Sequence, residues 1–314
     1  MIRMAYLDDA SLREQVTADY LGQMNTRHLK RRWREVRDST PELSAISFST
    51  MAILVSDFGT LVRIAQAYDK ALKGLPEVRI REINTAVADV FNYDGYYQRA
   101  KIAPFFRDHA EVLKIHTCHF CDMAYINVYN YVDVKDGRKK TASHFDLDHV
   151  LEKSRYPLLA LSLFNLVPSC PICNGRLKGP EPLAKDASKL KKLSPTSSSF
   201  QFDQKVLLTL LPFKDARRPF LHNPDCYELD FDCHREPAYQ TLVERFRLKD
   251  RYNYHKMEAL RIKDLKLKYP DANIMRIANI LGYSFEDVKE DIFGLRFSEK
   301  EHRCFSKLMR DMLK

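Results

Sequence analysis

Two Cys-x-x-Cys pairs, Cys118-His119-Phe120-Cys121 and Cys170-Pro171-Ile172-Cys173, stand about fifty residues apart in this chain. No other feature constrains the fold as strongly. A turn of this kind offers two thiolates to one ion, and two such turns complete the tetrahedral four-sulfur set that Zn2+ favours. The chain between the pairs must therefore leave and return to one point. His116 and His119 stand close enough to the first pair to compete as ligands. The bland alternative, four reduced core cysteines, does not explain the repeated spacing, and no thioredoxin-like βαβ pattern supports a redox pair. Cys226, Cys233 and Cys304 remain, an odd set that suits a reducing, cytoplasmic setting. Cys226, Cys233 and His234 lack the spacing of a second zinc site.

The insert between the pairs reads as a hairpin followed by a helix. The segment 125–134, YINVYNYVDV, is rich in β-branched and aromatic residues. Asp136-Gly137 signals the turn, and 141–150, TASHFDLDHV, returns as the second strand. A period of two places His144, Asp146 and Asp148 on one face. The strand is expected to end at His149, because Glu152 to Pro157 reads as loop. Cys173 to Leu177 should open a short helix.

These residues resemble the HNH endonuclease family, whose fold is called ββα-metal. The likeness covers about a fifth of the chain, roughly 118–179, and lies in order and spacing. Asp148-His149 matches the acidic residue and first His at the end of the family's second strand. Asn165-Leu166 matches its middle Asn, and Asn174, just after the second knuckle, its third position. The chain departs from the family's literal name in carrying Asn174 instead of a final His. It thus resembles the H-N-N subgroup with zinc knuckles. The resemblance implies a mainly α protein with a small ββα-metal core stapled by a structural four-cysteine zinc site. It also implies a metal-dependent endonuclease acting on DNA, of the kind bacteria deploy against phage or foreign DNA, working with an ATPase or sensor partner.

Phosphodiester hydrolysis needs an activated water and relief of charge on the phosphorus oxygens. An imidazole can take a proton near neutral pH, which makes His149 the expected general base. A carboxylate and an amide oxygen are hard ligands, so Asp148 and Asn174 are expected to hold a catalytic Mg2+ or Mn2+. Asn165 should order the loop behind His149 by hydrogen bonds, with Asp146 as a supporting carboxylate. Arg176 and Lys178 follow the site and are candidates to grip phosphate, against the plainer reading of a solvated basic face. The rival functions are a zinc-stapled binding or scaffold module with a dead site, and a nuclease acting on RNA. A degenerate module has no reason to keep Asp148, His149, Asn165 and Asn174 together. The DNA preference rests on the resemblance.

The flanks divide the chain into a helical region over 1–114, the zinc-bearing region over 115–182 and a mainly helical, basic region over 183–314. A formal charge of +9, from 51 Lys and Arg against 42 Asp and Glu, favours a polyanionic partner. No signal peptide or membrane-spanning run is visible. Ser11 to Glu14 has the pattern of a helix cap, 43–71 reads as core helices broken at Gly74 to Pro76, and Asn92 to Gly95 as a turn. The Pro-, Lys- and Ser-rich stretch 180–199 reads as an exposed loop. Tyr239 to Tyr269 reads as one long basic helix, the first candidate for phosphate contact, with Arg27 to Arg37 the second. Short helices are expected over 272–281, 284–293 and 298–313. The segment Asn273 to Lys289, with Gly282 at its turn, loosely resembles a helix-turn-helix.

Overall fold

The computed structural model describes residues 1, 3–213, 223–294 and 303–314. They form a mainly helical molecule with three small two-stranded antiparallel sheets. The first helices are α1 (Ala10–Gln23), α2 (Thr26–Ser39), α3 (Thr50–Val55), α4 (Phe58–Leu72) and α5 (Glu77–Val90). α4 shows why they form. Phe58, Leu61, Val62, Ile64, Ala65, Tyr68 and Leu72 recur at helical spacing and are buried, while Asp57 caps the helix by accepting from the Thr60 N–H. Gly74, at φ 81°, supplies the left-handed residue that turns the chain after α4. α1 is capped two residues before the expected position: Asp9 accepts from Leu12 N–H, and Ser11 lies inside the helix. The expected turn at Asn92 to Gly95 opens a wide π-helical segment, Tyr93–Ile102, capped by the Asn92 side chain. It runs into α6 (Ala103–Asp108).

The expected hairpin divides into two. β1 (Val128–Val132) pairs with β2 (Lys139–Ser143), but the remainder of the second strand turns away after Ser143. As β3 (Asp146–His149) it pairs instead with β4 (Leu166–Ser169), Asp148 opposite Val167 and His149 opposite Leu166. A helical turn, Ile172–Lys178, follows directly. The strand-strand-helix unit is therefore β3, β4 and this turn, with β1 and β2 as an outlying ribbon.

The connection from β3 to β4 is held by the N-terminal helices. The Tyr20 hydroxyl donates to Leu161 O at 2.7 Å, Ser162 Oγ donates to Ile53 O, and the Tyr156 hydroxyl donates to Asp69 at 2.8 Å. The stretch 180–199 is not an exposed loop. Leu183, Ala187, Leu190 and Leu193 are buried, and Leu190–Leu193 forms α7. Their helical spacing is present in the sequence but hidden among the surrounding Lys, Pro and Ser.

Further along, α8 (Phe202–Lys205) leads to β5 (Leu207–Pro212), which pairs with β6 (Tyr227–Asp232). The single basic helix expected over Tyr239 to Tyr269 is three: α9 (Gln240–Arg245), α10 (Leu248–Tyr254) and α11 (Lys256–Lys268). Arg247 takes a left-handed conformation, φ 46°, at the first break. Several of its cations form ion pairs or hydrogen bonds within the molecule. Lys249 pairs with Glu228 and Asp230, Arg245 with Glu181, and Lys268 with Asp264. Lys256 and Lys266 donate to backbone carbonyls. In α2, by contrast, Arg27, Lys30 and Arg34 are exposed while Leu29 and Trp33 face the core.

α12 (Asp271–Leu281) and α13 (Phe285–Phe293) form a hairpin about Gly282 with a small apolar core of its own. The last helix, α14 (Ser306–Leu313), is shorter than expected, and positions 298–302 lie outside the described residues. One continuous buried cluster runs from Met1 to Met312, so the three regions distinguished by composition share a core. Among the described residues no helix is long and apolar enough to cross a membrane.

Candidate active cleft and cysteine cluster

Cys118, Cys121, Cys170 and Cys173 are buried, and their sulfur atoms all lie within 4.8 Å of one another. They could hold a metal ion, and an all-sulfur tetrahedral set suits zinc. Neither His116 nor His119 belongs to the group. Backbone donors serve the sulfurs: Cys170 N–H reaches Cys118 Sγ at 3.3 Å and Cys173 N–H reaches Cys170 Sγ at 3.4 Å. Four thiolates outweigh the charge of a dication, and α10 supplies a counter-charge. Arg251 Nη1 lies 3.5 Å from Cys173 Sγ and also donates to Phe246 O. Its neighbour Tyr252 donates to Cys121 O at 2.8 Å. Adjacent residues of one helix thus hold both knuckles.

β3, the 172–178 turn and the 93–102 segment enclose a cleft of ≈ 530 Å³. Asp146, Asp148, His149, Asn174 and Lys178 line it, with Tyr93, Asp94, Glu152 and Lys153 among the facing residues. Asp148, His149 and Asn174 are thereby brought together.

His149, the last residue of β3, is 8 % exposed. Its Nε2 lies 2.9 Å from Ala160 O. A carbonyl can only accept, so Nε2 carries the proton and Nδ1 keeps the lone pair. The Tyr93 ring meets the imidazole edge to face at 4.5 Å. Burial lowers the imidazole pKa to about 4; the bond to Ala160 opposes the shift, and Lys153 and Lys178 add to it. At neutral pH the ring is neutral, with Nδ1 as its acceptor.

Asn165 is fully buried and does not face the cleft. Its amide oxygen accepts from Leu151 N–H at 2.7 Å, and its amide nitrogen donates to Leu151 O and Leu159 O at 2.8 and 3.1 Å. This side chain ties both arms of the connection that carries Ala160 and so fixes the carbonyl on which His149 rests.

Asp148 is 3 % exposed. Lys178 Nζ lies 2.7 Å from its Oδ1 and 3.0 Å from His149 O. Burial raises the Asp148 carboxyl above its ordinary range while Lys178 pulls it back. The other oxygen, Oδ2, is buried without a hydrogen-bond partner. Asn174 Nδ2 donates to Asp146 Oδ2 at 3.3 Å, which turns the amide oxygen away from Asp146. A carboxylate oxygen without a partner is the kind of hard donor that a divalent ion keeping several waters would need. The set is sparse: among the described residues the only cluster of three or more His, Cys, Asp or Glu side chains is the cysteine one.

The expected phosphate grips are displaced. Arg176 is exposed on the outer side of its turn and does not line the cleft. Lys178 is 5 % exposed and committed to Asp148, so its charge is spent on the site itself. The wall from the 93–102 segment carries no sequence signal of its role, because it lies some fifty residues upstream. Glu152 and Lys153 read only as loop, although they follow Asp148-His149 directly.

No protein-family model, curated protein or solved structure matches the chain.

Proposed function

We propose that this protein is a metal-dependent endonuclease that hydrolyses phosphodiester bonds of DNA through an HNH-like site. The supporting observation is the convergence of Asp148, His149 and Asn174 on one cleft at the end of a strand-strand-helix unit. In this reading His149 Nδ1 takes the proton of the attacking water, and its ring is held by Ala160 O and, through the loop, by Asn165. Asp148 and Asn174 would hold a Mg2+ or Mn2+ ion, which when bound supplies charge relief at the phosphate. Asp146 orients the Asn174 amide. The four cysteines would bind a structural zinc. Action against foreign DNA, with an ATPase or sensor partner, belongs to the same proposal and rests on the resemblance alone.

The test is incubation of purified protein with supercoiled plasmid, and in parallel with RNA, with and without Mg2+ or Mn2+. Metal-dependent nicking or linearisation of the plasmid is the expected result. Cleavage confined to RNA would change the substrate, and no cleavage of either would overturn the reading. One observation favours the second reading, a non-catalytic module: the Lys178 ammonium already neutralises Asp148.

A pH profile gives a further check. A free imidazole loses its basic form as pH falls through 6.5, whereas His149 keeps it down to about 4. The rate should therefore show no inflection at 6.5, and any acid limb should appear below it. Loss of kcat/KM centred on 6.5 would place the general base elsewhere.

A further inference from the structure

Two lysines line the cleft, Lys153 and Lys178. Lys178 is buried and holds Asp148 and the His149 carbonyl. Lys153 is placed differently. Its side chain is 40 % exposed, pairs with Asp94, and stands 5.1 Å from the centre of the Tyr93 ring. The Asp94 carboxylate is 71 % exposed. The pair joins the loop after His149 to the π-helical segment on the opposite wall. It also marks a boundary. A second hollow of ≈ 400 Å³ adjoins the cleft, and Tyr93, Asp94, Lys153 and Ser154 line both.

An ion pair this exposed contributes little, so an incoming anion can displace the carboxylate with little loss. The ammonium is then already positioned on the cleft wall, with its stem against an aromatic ring. Among the described residues lining the cleft it is the one cation not buried in the site's own structure.

We propose that Lys153 is the phosphate-binding residue of the cleft. Asp94 holds it in the free protein and is exchanged for a backbone phosphate of DNA, which opens the cleft toward the second hollow. This rests on reading the cleft as a phosphodiesterase site. Asp94 acts here as an internal stand-in for the phosphate that Lys153 binds.

The proposal separates two substitutions that a merely structural ion pair would not. Lys153→Gln and Asp94→Asn both break the pair, yet they should move DNA affinity in opposite directions. The measurement is binding of a fluorescent DNA duplex to the full chain, without added divalent ion, across a salt series. Lys153→Gln should weaken binding at least about tenfold, as loss of a charged hydrogen bond does. It should also reduce the slope of log affinity against log salt by about 0.9, the loss of one phosphate contact. Asp94→Asn should tighten binding by up to about fivefold, the gain from removing a competing surface carboxylate. Lys153→Arg should keep wild-type affinity. Changes in the same direction for Lys153→Gln and Asp94→Asn, or no change in either, would overturn the proposal while leaving the nuclease reading intact. Wild-type protein that neither binds nor cleaves DNA would remove both.

Discussion

Replacing His149 with Ala should abolish cleavage while the cysteine cluster keeps its metal. A general base contributes about 10²–10⁴-fold, so the loss should be large even if incomplete. The fold should weaken as well, because Ala160 O loses its donor and an unsatisfied buried acceptor costs about 1–3 kcal/mol. A melting curve beside the activity assay separates the two effects. The residues proposed as ligands need different variants. Asp148→Ala would leave Lys178 buried and unpaired, at a cost of about 3–5 kcal/mol, so it would report on folding more than on chemistry. Asp148→Asn and Asn174→Ala are the informative choices. Both should lose activity by weakening the hold on the proposed catalytic ion, and excess Mn2+ should restore part of it. The same Mn2+ titration should not rescue His149→Ala. Rescue of His149→Ala alone would mean that base and ligand roles are reversed, and full activity in that variant would remove this residue from the mechanism.

The second large effect belongs to the cysteines. Cys170→Ser or Cys173→Ser should strip the metal and destroy the fold. Structural zinc binds zinc-finger peptides with an apparent about 10–16 kcal/mol, which matches or exceeds the net stability of a typical domain, about 5–15 kcal/mol. The wild-type protein should carry about one zinc per chain by metal analysis, and the variants should be insoluble or lack a cooperative melt. Folded wild-type protein without zinc would overturn this expectation. The damage should extend well past the knuckles, since Arg251 and Tyr252 anchor α10 to them.

The legible parts of the sequence are those set by local chemistry. α4 follows from its own apolar spacing and an Asp cap. The clustering of the cysteines follows from their paired spacing. The end of β3 at His149 follows from the loop-forming residues after it. Pairing between distant segments is not legible. Residues 141–150 have strand character throughout, and nothing local shows that the strand changes partners after Ser143. The true partner of β3 is only four residues long and contains Pro168, so it gives no strand signal of its own. Lys178 reads as an exposed cation because most lysines are. Its burial depends on Asp148, thirty positions away and visible as a neighbour only once β4 and the following turn bring the chain back. The ion pairs of the basic run after Tyr239 are hidden for the same reason: the carboxylates that meet its cations lie on β6, on the stretch after Gly179 and within α11 itself.

Asp122 closes the first knuckle in a left-handed conformation, φ 56°. Its carbonyl accepts from Phe305 N–H at 2.6 Å and its carboxylate from Lys307 N–H at 3.0 Å. A ribosome delivers Cys118 to Cys173 long before it delivers these partners. While the chain is being made, the knuckle remains unsupported on that side until residues 305–307 have emerged. A protein assembled in this order matures late, and the excised stretch 115–182 would expose a sulfur cluster whose outer braces, Arg251, Tyr252 and the start of α14, had been left behind.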